Sequence, residues 1–206
     1  MHARQPGPPS ASLAKTLARA VATAVVLPAL ASYWVRARLL GRDRALEGSS
    51  QALAVLPGIL GQYLRRAFLS RVLDACHPTS TIEFGVLFSQ AGARIDENVY
   101  IGPRCQIGLA HLEADVLVGA AVHIPSGSQT HGTGDLDTPI RLQGGTRTMV
   151  RVGAGAWIGS NAVIMADIGR NSVIGAGSVV TKPIPDGVIA AGVPARVVRT
   201  REAAAL

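Results

Sequence analysis

The stretch SGSQTHGTGD, residues 126–135, holds a single imidazole, His131, among glycine and small polar residues. Histidine titrates near neutrality, so an imidazole in such a setting can take a proton from a weak nucleophile and return it later. That chemistry suits activation of a hydroxyl; the plain alternative is a structural histidine at a chain corner. Two other histidines stand close in sequence, His111 and His123. His123, in VHIP, precedes an apolar Ile124 and is read as projecting outward to solvent or an interface. His111 is a candidate for the wall of an acceptor pocket. Asp135, Asp137 and Arg141 follow His131 and are candidates to bind acceptor hydroxyls or orient the ring, with a solvated loop face as the alternative for each. The two cysteines, Cys76 and Cys105, have no CxxC spacing, so neither a zinc site nor a disulfide framework follows and both read as reduced thiols.

A scaffold must hold that histidine, and the surrounding sequence supplies one with an unusual period. Ile95, Ile101 and Ile107 are six residues apart; Leu112, Val118 and Ile124 resume the step after a one-residue contraction. Val152, Ile158 and Ile164 repeat it, as do Ile168, Ile174 and Val180. The next residue is small or acidic, as with Asp96, Gly102, Glu113, Gly119 and Gly159, and the fourth position after the aliphatic is small as well. Neither a helical period of 3.6 nor a lone strand of period 2 accounts for six. Short strands that turn a corner every six residues do, three strands making one triangular coil with the aliphatic inside. The runs GAGA and GAGS fall within this repeat and do not complete a GxGxxG dinucleotide fingerprint. Residues 132–149 lack the repeat and read as a loop excursion that leaves the coil at His131; a loop of that length in a compact fold is usually functional.

Composition supports a repetitive interior. Apolar residues make up 48% of the 206 positions but aromatics only 4%, and there are 23 glycines for tight corners. Charge is uneven. Residues 1–75 carry 10 Lys/Arg against 3 Asp/Glu, whereas residues 76–206 carry 10 of each, so the whole excess of +7 sits in the first part. Residues 1–12, with three prolines, read as disordered. Residues 13–75 read as a helical, membrane-prone basic extension: Ala20 to Val35 is free of charge, with Arg19 before it and Arg36, Arg38, Arg42 and Arg44 after it. An interfacial or half-inserted helix, a membrane span, a helix packed on the protein and a signal peptide all remain open for this stretch, and Pro28 predicts a kink. Residues 49–74 read as two short amphipathic helices. The segment as a whole is treated as separable, so that deleting residues 1–45 should leave cofactor binding intact. Arginines without interleaved aromatics argue against nucleic acid.

From residue 76 the hexads resemble the left-handed parallel β-helix of the hexapeptide-repeat acyltransferases. The stretch WIGSNAVIMADIGRNSVIGAGSVVTKPIPDGVIAAGVPARVVR, residues 157–199, is similar to the C-terminal half of sugar O-acetyltransferases of the galactoside and maltose type. The resemblance covers roughly residues 80–200; residues 1–75 find no counterpart in the small soluble members. VIMADIG departs from the family pattern by being two residues shorter than the commoner ILPGVTIG, which predicts a tightened corner.

The resemblance implies a mainly β fold: a β-helix over residues 76–181 and a C-terminal segment, 182–206, that binds coenzyme A. It implies acetyl-CoA as cosubstrate and no metal. His131 falls on the family's catalytic histidine, Ser160 and Ala176 on positions that meet the pantetheine arm, and Thr181 and Lys182 on contacts nearer the nucleotide. Arg196 and Arg199 fall on basic residues near its phosphates, and Trp157 on a tryptophan that lines the thioester channel or simply packs. A homotrimer with active sites between protomers is implied as well. The expected reaction is acetyl transfer to a saccharide hydroxyl, in surface polysaccharide or a lipid-linked precursor, in the cytoplasm on the inner face of the plasma membrane. An antibiotic O-acetyltransferase and a non-catalytic scaffold are the alternatives. The γ-class carbonic anhydrases share this β-helix but need three metal-binding histidines, and no histidine follows His131.

Overall fold

The computed structural model describes residues 13–201; the expectation for residues 1–12 and the last part of the C-terminal tail lie outside them. Three helices come first: α1 (Leu13–Leu40), α2 (Arg42–Ala54) and α3 (Gly58–Val72). Sixteen short strands follow. The first coil holds β1 (Ala75–Cys76), β2 (Thr81–Ile82) and β3 (Leu87–Phe88); the second holds β4 (Arg94–Ile95), β5 (Tyr100–Ile101) and β6 (Gln106–Ile107). The third holds β7 (Ala110–Leu112), β8 (Leu117–Val118) and β9 (His123–Ile124). After the excursion come β10 (Val150–Val152), β11 (Trp157–Ile158), β12 (Val163–Ile164), β13 (Val173–Ile174) and β14 (Val179–Val180). The last pair is β15 (Val188–Gly192) and β16 (Ala195–Thr200).

Successive coils stack in parallel and build three sheets, ordered β1-β4-β7-β10, β2-β5-β8-β11-β13-β15 with β16 added antiparallel, and β3-β6-β9-β12-β14. The sixfold period therefore is the coil. Ile82, Ile101, Val118, Ile158 and Ile174 lie in one inward row, and Phe88, Ile107, Ile124, Ile164 and Val180 in another, all buried. Each such side chain contributes on the order of 1.5–3 kcal/mol, less whatever apolar surface the unfolded chain already hides. Polar residues with short side chains take the corners: Asn98, Asp115, Asn161 and Asn171 all adopt positive φ, a conformation Asn and Asp tolerate better than most residues. The shortened VIMADIG is a tight corner as expected. Ile168 joins the first sheet only by single bridges to Val152 and Ile184, with no strand of its own.

One coil precedes the row that starts at Ile95, with Cys76, Ile82 and Phe88 in its inward positions. That coil has no predecessor, and a solenoid end exposes both core and backbone unless something caps it. Helices α2 and α3 do this. Phe88 N–H donates to Ser50 Oγ (2.8 Å), Gly85 N–H to Ala54 O (2.9 Å) and Ala91 N–H to Asp43 Oδ1 (2.8 Å). The buried Arg65 donates through Nε to Ile82 O (3.1 Å) and through Nη1 to Leu53 O and Leu56 O, tying the end of α2 to the first coil. Removing Ser50 Oγ would leave the Phe88 N–H buried without an acceptor. Ser50→Ala should therefore cost about 1–3 kcal/mol, read as a lower urea midpoint at unchanged slope.

Helix α1 runs unbroken through Pro28 for 28 residues, roughly 42 Å at helical rise, longer than the charge-free stretch alone implies. Ala22, Val26, Leu30 and Tyr33 form its buried stripe, and Tyr33 meets Phe68 of α3 edge to face at 5.7 Å between ring centres. The opposite face exposes Leu17, Val21, Val25, Leu27 and Val35. Of the open readings, the helix packs on the protein, and it keeps an apolar outer face. A cut at residue 45 would take Tyr33 away from its contact with the buried Phe68.

Candidate active site

The excursion leaves the third coil just after β9 and returns at β10, and its legs are fastened where they part. Ser126, buried and at positive φ, accepts a hydrogen bond on Oγ from Leu109 N–H (2.7 Å). Thr148 N–H donates to Ser126 O (2.9 Å) and Thr146 N–H to Gln129 O (2.7 Å), so outgoing and returning legs run together. Gly145 lies against the Thr130–His131 peptide with no room for a Cβ. That close approach fixes the backbone at His131, which loop residues alone would not do.

His131 opens onto a cleft of about 330 Å³ whose walls come from three sources. Thr130, His131 and Arg147 come from the excursion legs, Gln106 and His123 from outward positions of β6 and β9, and Glu47 and Gln51 from α2. Gln106 and His123 are direct neighbours in the sheet ladder. His123 does project outward, as its place beside Ile124 predicts, but into this cleft rather than to bulk solvent. Desolvation by the cleft walls lowers its pKa below that of an ordinary histidine. The same desolvation favours its neutral form beside His131. Among the described residues no carboxylate hydrogen-bonds the His131 ring.

The other acceptor candidates lie elsewhere. His111 stands on β7 in the first sheet, between Arg94 and Arg151 in the ladder, with Nε2 2.9 Å from Asp96 Oδ2. It does not line the His131 cleft of the same chain. Asp135 holds its own loop: its Oδ1 accepts from the Asp137 N–H (2.9 Å) and Thr138 N–H (3.3 Å), and hydrogen bonds from Thr138 and Asp137 keep its carboxyl below the usual range. Gln143 closes the same turn through Asp135 O and Thr138 O. Asp137 and Arg141 are exposed on that turn and its 3₁₀ segment, Ile140–Leu142, outside the cleft.

The residues matched to a coenzyme A groove occupy two edges of the coil. Ser160, whose Oγ accepts from Ala120 N–H (3.2 Å), and Ala176 stack on the edge after the second sheet. Thr181 and Lys182 follow β14 on the next edge, and Arg196 and Arg199 stand exposed on β16. Lys182, Arg196 and Arg199 have no carboxylate within ion-pair distance among the described residues, which leaves them free for phosphates. Trp157 keeps 52% of its surface exposed between Leu117 and Val173 in the ladder, so it is not core packing of this chain. Cys76 and Cys105 are buried free thiols. Burial pushes Cys105 up to about 11. Burial also raises the Cys76 thiol.

What sequence reasoning missed is α2's share of the cleft. Glu47 and Gln51 sit one turn apart, a spacing that reads as an ordinary solvated helix face, and no local signal places them opposite His131.

Known proteins share the fold and parts of the sequence. Residues 149–182 match the family described as hexapeptide repeat of succinyl-transferase. Galactoside O-acetyltransferase of Escherichia coli K12 is 60% identical over 52 residues, 24% of this chain and 26% of that protein. The galactoside O-acetyltransferase of Lactococcus lactis is 36% identical over 91 residues, 42% of this chain and 44% of that protein. The chain thus spans about a quarter to less than half the length of these curated relatives. In three dimensions a maltose O-acetyltransferase from Clostridium difficile 630 superposes with a TM-score of 0.68 at 24% identity, over 80% of this chain and 89% of that one. A galactoside acetyltransferase in complex with coenzyme A gives 0.55 at 25% identity, over 78% and 81%. Residues 75–206 are less than two thirds of the chain. Overlays of this extent reach into the helical segment.

Proposed function

We propose that the protein is an acetyl-CoA-dependent O-acetyltransferase that acts on a saccharide hydroxyl, in surface polysaccharide or its lipid-linked precursor, with His131 as general base. The carrying observation is the cleft itself, in which a backbone-fixed imidazole shares walls with hydrogen-bonding groups, Gln51, Gln106 and His123, flanked by one carboxylate and one guanidinium, Glu47 and Arg147, a mixture that suits sugar hydroxyls. His131 takes the proton as the hydroxyl oxygen attacks the thioester carbonyl. The new C–O bond forms, the C–S bond breaks, and the imidazolium returns its proton to the departing thiolate. Proton removal is the step that needs help, because an alcohol is a poor nucleophile while it keeps its proton.

The matched cofactor residues support a shared groove. Ser160 and Ala176 on one edge and Thr181 and Lys182 on the next would contact one extended ligand most simply if it lay between two copies, consistent with a homotrimer. The apolar outer face of α1 beside its arginines supports attachment to the inner surface of the plasma membrane.

The test is release of free thiol from acetyl-CoA, followed colorimetrically against a panel of mono- and oligosaccharides. The expected result is release that depends on a saccharide and is unchanged by a chelator. Release that requires an amine acceptor, or none with any hydroxyl compound, would overturn the proposal.

A further inference from the structure

Between α1 and α3, on the side of the cap away from the His131 cleft, three guanidinium groups converge without a counter-charge. Arg19 and Thr23 of α1 face Tyr63, Arg66, Ser70 and Arg71 of α3 across a cavity of about 500 Å³ floored by Cys76 and Pro78. Arg66 and Arg71 are held by neutral groups only. Arg71 Nη1 donates to Ala67 O (2.7 Å) and its Nη2 to Thr23 Oγ1 (3.2 Å); Arg66 Nη1 donates to Ser80 O (3.1 Å) and lies over the Tyr63 ring at 4.7 Å. The Arg19 Nε is buried with no partner. None of the three has a carboxylate within ion-pair distance among the described residues. Burial, and the like charge of Arg19, both disfavour the charged form of Arg66. Arg19 and Arg66 are half-buried and Arg71 is exposed at the cavity's rim; like-charged donors gathered in this way with free N–H groups are unfavourable unless an anion joins them.

Beside this cavity, sharing Tyr63 as a wall, runs an apolar groove of about 630 Å³ lined by Leu17, Val21, Val25, Ile59 and Leu60. A phosphate satisfies the guanidinium cluster, since the planar fork matches two phosphate oxygens. A free phosphate leaves the groove empty, whereas a phosphate carrying long hydrocarbon chains fills both. We propose that Arg19, Arg66 and Arg71 bind the phosphate of an anionic phospholipid headgroup while the α1–α3 groove takes its acyl chains, fixing how the protein sits on the membrane. This builds on the membrane-surface reading and is independent of the acetyl-transfer reading.

The full chain would be titrated calorimetrically with short-chain phosphatidic acid below its micellar concentration, with diacylglycerol of the same chain length, and with inorganic phosphate. Flotation would be measured with phosphatidylcholine vesicles with and without phosphatidic acid. Short-chain phosphatidic acid should bind, with phosphate and diacylglycerol each at least about tenfold weaker, since each offers half the match. Arg19→Gln with Arg71→Gln should weaken phosphatidic acid binding by roughly 10–100-fold, and Ser70→Glu, which puts a carboxylate in the cavity, should do the same with the fold intact. Arg38→Gln with Arg44→Gln removes equal charge elsewhere and should leave the short-chain affinity within about threefold. Equal losses in the two double variants would overturn the site, as would diacylglycerol binding as well as phosphatidic acid. Phosphate binding as tightly as the lipid would overturn the lipid as occupant. Absence of flotation with short-chain binding retained would support the arginine site and overturn the membrane-surface reading alone.

Discussion

His131→Ala should lower kcat by roughly 10²–10⁴, a loss of about 3–5 kcal/mol of transition-state stabilisation. The size follows from the chemistry. Without a base the sugar oxygen must attack while it keeps its proton. KM for acetyl-CoA should barely move, because the matched groove lies between Trp157 and Arg199 and its residues are positioned by the coil rather than by the excursion. Steady-state kinetics at saturating acetyl-CoA measure both. His123→Ala should cost less, since that ring lines the cleft as a neutral wall, and His111→Ala less again, since its partner is Asp96 on another sheet. Near-normal turnover in His131→Ala with a large loss in His123→Ala would move the base one strand back along the chain.

Phe68→Ala should remove about 3–5 kcal/mol of stability and lower the melting temperature by roughly 6–20 °C. Phe68 is fully buried at the junction of α1 and α3 and makes the edge-to-face contact with Tyr33. Its loss would open a cavity where the helical cap closes over the first coil, and the surrounding backbone is held by hydrogen bonds that resist collapse. Because α2 also supplies Glu47 and Gln51 to the cleft, turnover should fall before the β-helix melts. An unchanged melting temperature would show that the helices do not dock in solution and that the extension is separable after all.

The coils from Ile95 onward were legible because one geometric demand repeats. An inward aliphatic every sixth residue leaves a period that no helix or isolated strand produces. The first coil was included by the boundary at residue 76, although the row Cys76, Ile82 and Phe88 is followed by His77, Glu83 and Ser89, with no glycine to mark its corners. The cap itself is invisible locally. Ser50, Asp43 and Arg65 look like surface residues, and their acceptors or donors lie 38, 48 and 17 residues away. At the site, His131 stood out as the only imidazole where the repeat stops. His123 was read correctly as outward, but what it faces depends on the excursion legs and on α2. The overlap of the arginine cavity with an apolar groove depends on how α1 lies against α3, which charge and hydropathy along the chain do not specify.

The most direct measurement is the fate of labelled acetyl groups when wild-type protein and His131→Ala are each incubated with acetyl-CoA and the best saccharide from the panel. Wild-type protein should move the label onto the saccharide as an alkali-labile ester, with one free thiol per ester formed, and His131→Ala should form almost none while still binding acetyl-CoA. Label appearing as free acetate regardless of saccharide, as an alkali-stable amide, or as ester at equal rate from both proteins would contradict the account.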